Sequence, residues 1–189
     1  MEAFSDGVIA IIVTIMVLEI KAPEGTDWAS IKPLVPKFLS YALSFLFVAI
    51  YWVNHHHLLH TVKKATAGIM WSNINLLFWL SLTPFATAWM GENHFDKITV
   101  SAYAVLALLC GLSYNLLNNA IARHYTEATR DKLAVKKNNW KMVTAILLYT
   151  SAIPIALFVN PAISGFLFLT VSLIWLIPDS SIERALEKE

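Results

Sequence analysis

Apolar residues gather along the chain into six long runs: Ser5–Lys21, Phe38–Leu59, Ile69–Met90, Ile98–Ala122, Met142–Val159 and Pro161–Ile177. Each is close to the ~20 residues needed to cross a bilayer's hydrocarbon layer. Backbone groups in hydrocarbon must be satisfied within their own segment, so runs of this length predict helices. Only Asn160-Pro161 separates the fifth run from the sixth, which predicts a tight turn and an antiparallel hairpin. Pro154 lies inside the fifth run and predicts a kink there. The first run lacks a basic leader, and Leu18-Glu19-Ile20-Lys21 offers no small-residue cleavage site, so it reads as a retained helix. Between the first two runs, Pro23, Pro33 and Pro36 flank Trp28 and predict an ordered external turn or a short interfacial helix. Ser181–Glu189 reads as a short amphipathic helix. The predicted fold is all-α: one domain over residues 1–189, an integral membrane bundle of six transmembrane helices.

Composition sharpens this picture. Of 189 residues, 57% are hydrophobic and 14% charged, against roughly 25% charged in an average soluble domain. A water-soluble domain of this size must cover itself with polar groups, whereas a membrane bundle need not. A net charge of +1 argues against nucleic-acid binding, which calls for a basic stripe able to neutralise phosphates. Cys110 is the single cysteine, so no intrachain disulfide is possible. Trp28, Trp89 and Trp140 fall near predicted span ends, where amphipathic rings anchor at headgroups.

Loop charge sets the expected orientation. With both termini inside, ten of the 14 basic residues fall inside, most of them in the Arg123–Lys141 loop. Lys21, Lys32, Lys37 and Lys97 are the four outside. This favours N-in and C-in in a multi-pass membrane protein.

Some polar residues stand where hydrocarbon should not tolerate them. Asp6 opens the first helix, and helix capping by Ser5 or Asp6 is the simplest reading. The topology adds a second. Trp52, Asn54 and His55, His56 and His57 lie near the inner end of the second helix; Asn73 and Asn75 open the third; Asn115, Asn118 and Asn119 close the fourth. All share the depth of Asp6, which suggests a hydrogen-bonded layer joining the helices. Asp6, a His of the 55–56 pair and Asn73 read as members of it, whereas His57 and His60 read as facing headgroup water.

His56 and His60, four residues apart, share one helix face, a spacing at which two imidazoles meet one cation. No carboxylate lies in that run, so the site is incomplete and no fixed metal centre is expected. No Walker A loop, Gly-x-Ser-x-Gly elbow, His-Glu-x-x-His or dinucleotide fingerprint occurs. Neither an enzyme nor a cofactor is expected. The Thr-Val-Gly-Tyr-Gly filter of common potassium channels is also missing.

Along the first helix, Phe4, Gly7, Ile11, Ile15 and Leu18 form one apolar face, flanked by Thr14. Ile9, Val13, Met16 and Ile20 form another, equally apolar. Periodicity alone leaves open which of the two packs inward.

Phe4-Ser5-Asp6-Gly7, followed by Ile-Ile-Val-Thr-Ile-Met-Val-Leu, resembles the first helix of the transmembrane protein 175 family in its prokaryotic single-repeat form. The likeness continues through Trp52-Val53-Asn54-His55-His56, Asn73 with Leu76-Leu77, and Pro84-Phe85. It implies a potassium-permeable channel in which four six-helix subunits surround a pore lined by their first helices. Aligned on Phe-Ser-Asp, the hydrophobic constriction becomes Ile11, Ile15 and Leu18, and Thr14 offers a hydroxyl, so permeant potassium is expected near Ile11 and Thr14. The resemblance also assigns Ser5, Asp6, Trp52, His55 or His56, and Asn73 to an inter-helix network. Family members usually carry an Arg four residues before this Phe, a position that precedes Met1 here. The competing reading is a proton-coupled secondary transporter that uses the Asp6/His layer.

Overall fold

Long apolar runs without internal breakers give long helices. The computed structural model describes residues 1–62, 64–123 and 139–176, with Asn139 described by its backbone alone. The helices are α1 (Glu2–Leu18), α2 (Trp28–Ile31), α3 (Val35–His60), α4 (Ala67–Ser81), α5 (Thr83–Glu92), α6 (Lys97–Ala122), α7 (Asn139–Phe158) and α8 (Pro161–Leu176). No strand occurs among the described residues.

Two predicted spans change shape. The first ends at Leu18 rather than Lys21; Glu19 caps it, and Ile20 donates a backbone hydrogen bond to the Val17 carbonyl at 3.1 Å. The third is not continuous but divides at Leu82 into α4 and α5. Pro84, in the first turn of α5, has no N–H to offer the preceding turn, and its ring crowds the carbonyl four residues back. The chain therefore restarts as a new helix. The fifth run is one helix through Pro154. Ile177 and the expected helix Ser181–Glu189 lie outside the described residues.

Outside the predicted spans, Asp27 caps α2 by accepting from the Ser30 backbone N–H at 3.0 Å. A 3-10 turn, Lys32–Leu34, then carries α2 into α3. The helical stretch Trp28–His60, together with α6 and Trp140–Phe158, is long and apolar enough to cross a membrane.

The buried apolar residues form one cluster. Helix α6 lies at its centre, packed against α4, α5, α7 and α8, while α1 packs against α3, α4 and α5. Gly91 brings α5 close to α3: a Cβ there would stand 2.9 Å from the Lys37 Cα and would also meet the Ser40 hydroxyl. Lys37 and Glu92 close the same end with an ion pair at 3.0 Å. Ser164 Oγ donates to the Ala152 carbonyl at 2.8 Å, joining α7 to α8 across their short turn.

The outside of the bundle is apolar. Trp71, Phe85, Leu147, Phe158 and Phe166 are all more than 60% exposed. Water would not tolerate so much uncovered hydrocarbon, but lipid does. Length, composition and exterior together define a membrane protein.

Candidate functional site

The two equivalent faces of α1 separate in the fold. Ser5, Ile9, Ile12 and Met16 are buried against the bundle. Phe4, Ile11, Ile15 and Leu18 are 64%, 58%, 42% and 74% exposed, so the described residues leave a continuous apolar stripe of α1 uncovered. Gly7 lies in the same stripe with open space around it. Thr14 is also exposed, and its hydroxyl donates back to the Ala10 and Ile11 carbonyls, both at 3.0 Å. With the proton turned to the helix, the oxygen's lone pairs are left for an outside donor or cation.

At the start of α1, the six residues assigned to an inter-helix network form two groups. The inner group is dry: Ser5, His55 and Asn73 are each at most 1% exposed. His55 Nε2 lies 2.7 Å from Asn73 Oδ1, and Asn73 Nδ2 donates to Ser5 Oγ at 2.9 Å. Ser5 Oγ in turn donates to the Met1 carbonyl at 3.2 Å. A carbonyl oxygen only accepts, so this order makes His55 Nε2 the donor and leaves Nδ1 as a bare acceptor. His55 Nδ1 is indeed buried without a hydrogen-bond partner. One chain of bonds thus joins α1, α4 and α3.

The outer group is half-exposed. Trp52 Nε1 donates to Asp6 Oδ1 at 3.0 Å. His56 Nδ1 lies 3.8 Å from the other Asp6 oxygen and 3.2 Å from Glu2 Oε1. Of the 55–56 pair, His55 therefore belongs to the inner group and His56 to the outer. Glu2 escaped the sequence reading, although it precedes Asp6 by one helical turn and must share its face. His60 also turns toward this group, 4.0 Å from Glu2.

The wider polar layer is not one network. Asn75 donates to Ser113 at 2.8 Å, tying α4 to α6. Asn119 donates to Asn115 at 2.9 Å on the surface of α6. Asn54 turns back to the Ile50 carbonyl. A further buried cluster lies away from this layer: Thr87 Oγ1 is 2.7 Å from Ser44 Oγ, which is 3.0 Å from the Tyr103 hydroxyl. Single Ser, Thr and Tyr residues in separate spans carry no sequence signal that they meet.

The fold is an α-helical membrane bundle with an apolar exterior, of which the exposed stripe of α1 is one part. Known proteins narrow the class. The family described as "Endosomal/lysosomal potassium channel TMEM175" matches residues 1–84. A potassium channel of Chryseobacterium sp. (strain P1-3) is 47% identical over 188 residues, covering 100% of this chain and 97% of that protein. A potassium channel of Chamaesiphon minutus is 33% identical over 154 residues, covering 77% of this chain and 73% of its own. The crystal structure of a lysosomal potassium-selective channel TMEM175 homolog from Chamaesiphon minutus superposes with a TM-score of 0.80. It is 27% identical and covers 93% of this chain and 94% of that one. The chain belongs to the TMEM175 family. These relatives are named as channels, which are not enzymes, and they do not favour the proton-coupled carrier.

Proposed function

We propose that the chain is the single-domain subunit, over residues 1–189, of a homotetrameric potassium channel of a prokaryotic plasma membrane, with both termini inside. The observation that carries this reading is the uncovered stripe of α1. Four copies that bring these stripes to a common axis bury Ile11, Ile15 and Leu18 against one another as a narrow apolar neck. The fourfold number rests on the family likeness.

Such a neck gates by dewetting, because a narrow apolar constriction excludes water and therefore ions. Conduction needs the neck to widen or rehydrate. Thr14, one turn from Ile11, supplies the oxygen that a partly dehydrated potassium ion needs. The bonds that Ser5 and Asp6 make to α3 and α4 hold the inner end of α1, so its pivoting is governed from this end.

The test is ion flux from liposomes holding the purified chain, with potassium and sodium compared across an imposed gradient. Electrogenic flux favouring potassium, altered by substitutions at Ile11 or Leu18, is the expected result. Saturable, pH-coupled flux without single-channel steps would overturn it.

A further inference from the structure

The outer group at the start of α1 holds a donor set that neither helix contains alone. Glu2 and Asp6 stand one turn apart on α1, and His56 and His60 one turn apart on α3. The two pairs face each other. Ligand atoms of Glu2, Asp6 and His56 all lie within 4.8 Å of one another. His56 Nδ1 is 3.2 Å from Glu2 Oε1 and 3.8 Å from Asp6 Oδ2, and His60 Nδ1 is 4.0 Å from the same Glu2 oxygen.

We infer that Glu2, Asp6 and His56, with His60 within reach, form a binding site for a divalent transition-metal ion of the zinc class, bridging α1 and α3. Two ligands each about 2.0–2.1 Å from a tetrahedral zinc stand roughly 3.3 Å apart, near the shortest of these separations. Two further observations point the same way. His56 Nδ1 is shielded from solvent and makes no hydrogen bond, its near neighbours being the Glu2 and Asp6 carboxylates, so an ion that displaced its proton would meet all three ligands at once. Trp52 holds Asp6 by Oδ1, leaving Oδ2 on the side of His56. This is the arrangement by which an outer hydrogen bond orients a metal-binding carboxylate. Imidazole nitrogen beside carboxylate oxygen suits zinc and its neighbours, whereas magnesium and calcium take oxygen alone. Bound there, the ion would clamp the inner end of α1 to α3. Its effect on conduction rests on the channel reading, but its binding does not.

Binding is therefore read without flux, by calorimetric titration of zinc chloride into the full chain in detergent, with any affinity tag removed. One zinc per chain is expected, undisturbed by excess magnesium. His56→Ala and Glu2→Gln should each weaken binding by at least about tenfold. His57→Ala, outside the set, should leave it unchanged. Circular dichroism and gel filtration verify that each variant is folded. Should His56→Ala fail that check, Glu2→Gln, at a half-exposed position, decides alone. Equal binding by the wild type and the folded variants, displacement by magnesium, or a loss in His57→Ala matching that in His56→Ala would overturn the site.

Discussion

Asn73 and His55, eighteen residues apart in sequence and on different helices, meet in the dry interior with 2.7 Å between Oδ1 and Nε2. Asn73 also donates to Ser5, so one amide satisfies partners on two neighbouring helices. Removing it leaves a buried imidazole and a buried hydroxyl with fewer partners, a loss of about 1–3 kcal/mol for each buried group left unpaired. Asn73→Ala is expected to lower the melting temperature of the detergent-solubilised protein. Its cost and that of His55→Ala should fall well short of adding in the double variant, because both break the same bond.

Ile11 lies in the uncovered stripe, where the proposed neck is narrow. Ile11→Asn is expected to wet that neck, raising resting flux and moving the potassium-to-sodium permeability ratio toward one. Reversal potentials in planar bilayers check this. An unchanged ratio and open probability would remove Ile11 from the constriction.

Gly91 and Gly111 are both helical but differ in surroundings. A Cβ at Gly91 would stand 2.9 Å from the Lys37 Cα, and backbone yields poorly. The nearest atom to a Cβ at Gly111 is the Tyr51 hydroxyl at 3.7 Å, an ordinary contact. Gly91→Ala should therefore destabilise by about 1–3 kcal/mol through overpacking. Gly111→Ala should be neutral or gain up to about 1 kcal/mol in helix propensity. Thermal unfolding of the two variants side by side checks the contrast.

The Tyr103 hydroxyl bonds Ser44 in the buried cluster that joins α3, α5 and α6. Tyr103→Phe keeps the ring contacts with Phe47 and Phe168 and removes only the hydroxyl. The expected loss is about 0.5–1.5 kcal/mol, the net worth of one hydrogen bond. Tyr103→Ala should cost several-fold more, since an aromatic core side chain lost to a cavity costs roughly 3–5 kcal/mol. Denaturation of both variants separates the two contributions.

Outside the spans, the Ser30 hydroxyl and then the Ser30 backbone N–H hold the Asp27 carboxyl below the ordinary aspartate range. A depressed carboxylate pKa stabilises the cap above the unfolded-state value, and that contribution fades as pH falls through the folded one. Carboxyl-selective NMR should show Asp27 titrating below an ordinary Asp, and Ser30→Ala should move it upward.

Much of this protein is legible from its sequence. Six apolar runs set the all-α class, because hydrocarbon leaves a backbone few ways to satisfy itself. Phe4-Ser5-Asp6 pointed to the family. Trp28 and three prolines marked a short ordered element before α3, which α2 and its 3-10 turn supply. The break in the third span was less legible: Pro84 was visible, but a proline in a long apolar run is compatible with a kink as well as a restart.

What the sequence determined by itself was the solvent of the fold and the residues that would be costly in it, since both follow from local composition. Only the tertiary structure decided which apolar face of α1 is covered. Ile9 and Met16 are interchangeable with Ile11 and Ile15 in hydropathy and period, and the tie breaks only when α3, α4 and α5 close over one side. The same closure sorted the polar residues, sending His55 to Asn73 and His56 to Glu2 and Asp6. Adjacent residues on a helix differ by about 100° in direction. Which neighbour each meets is therefore a property of helix packing rather than of the run of letters.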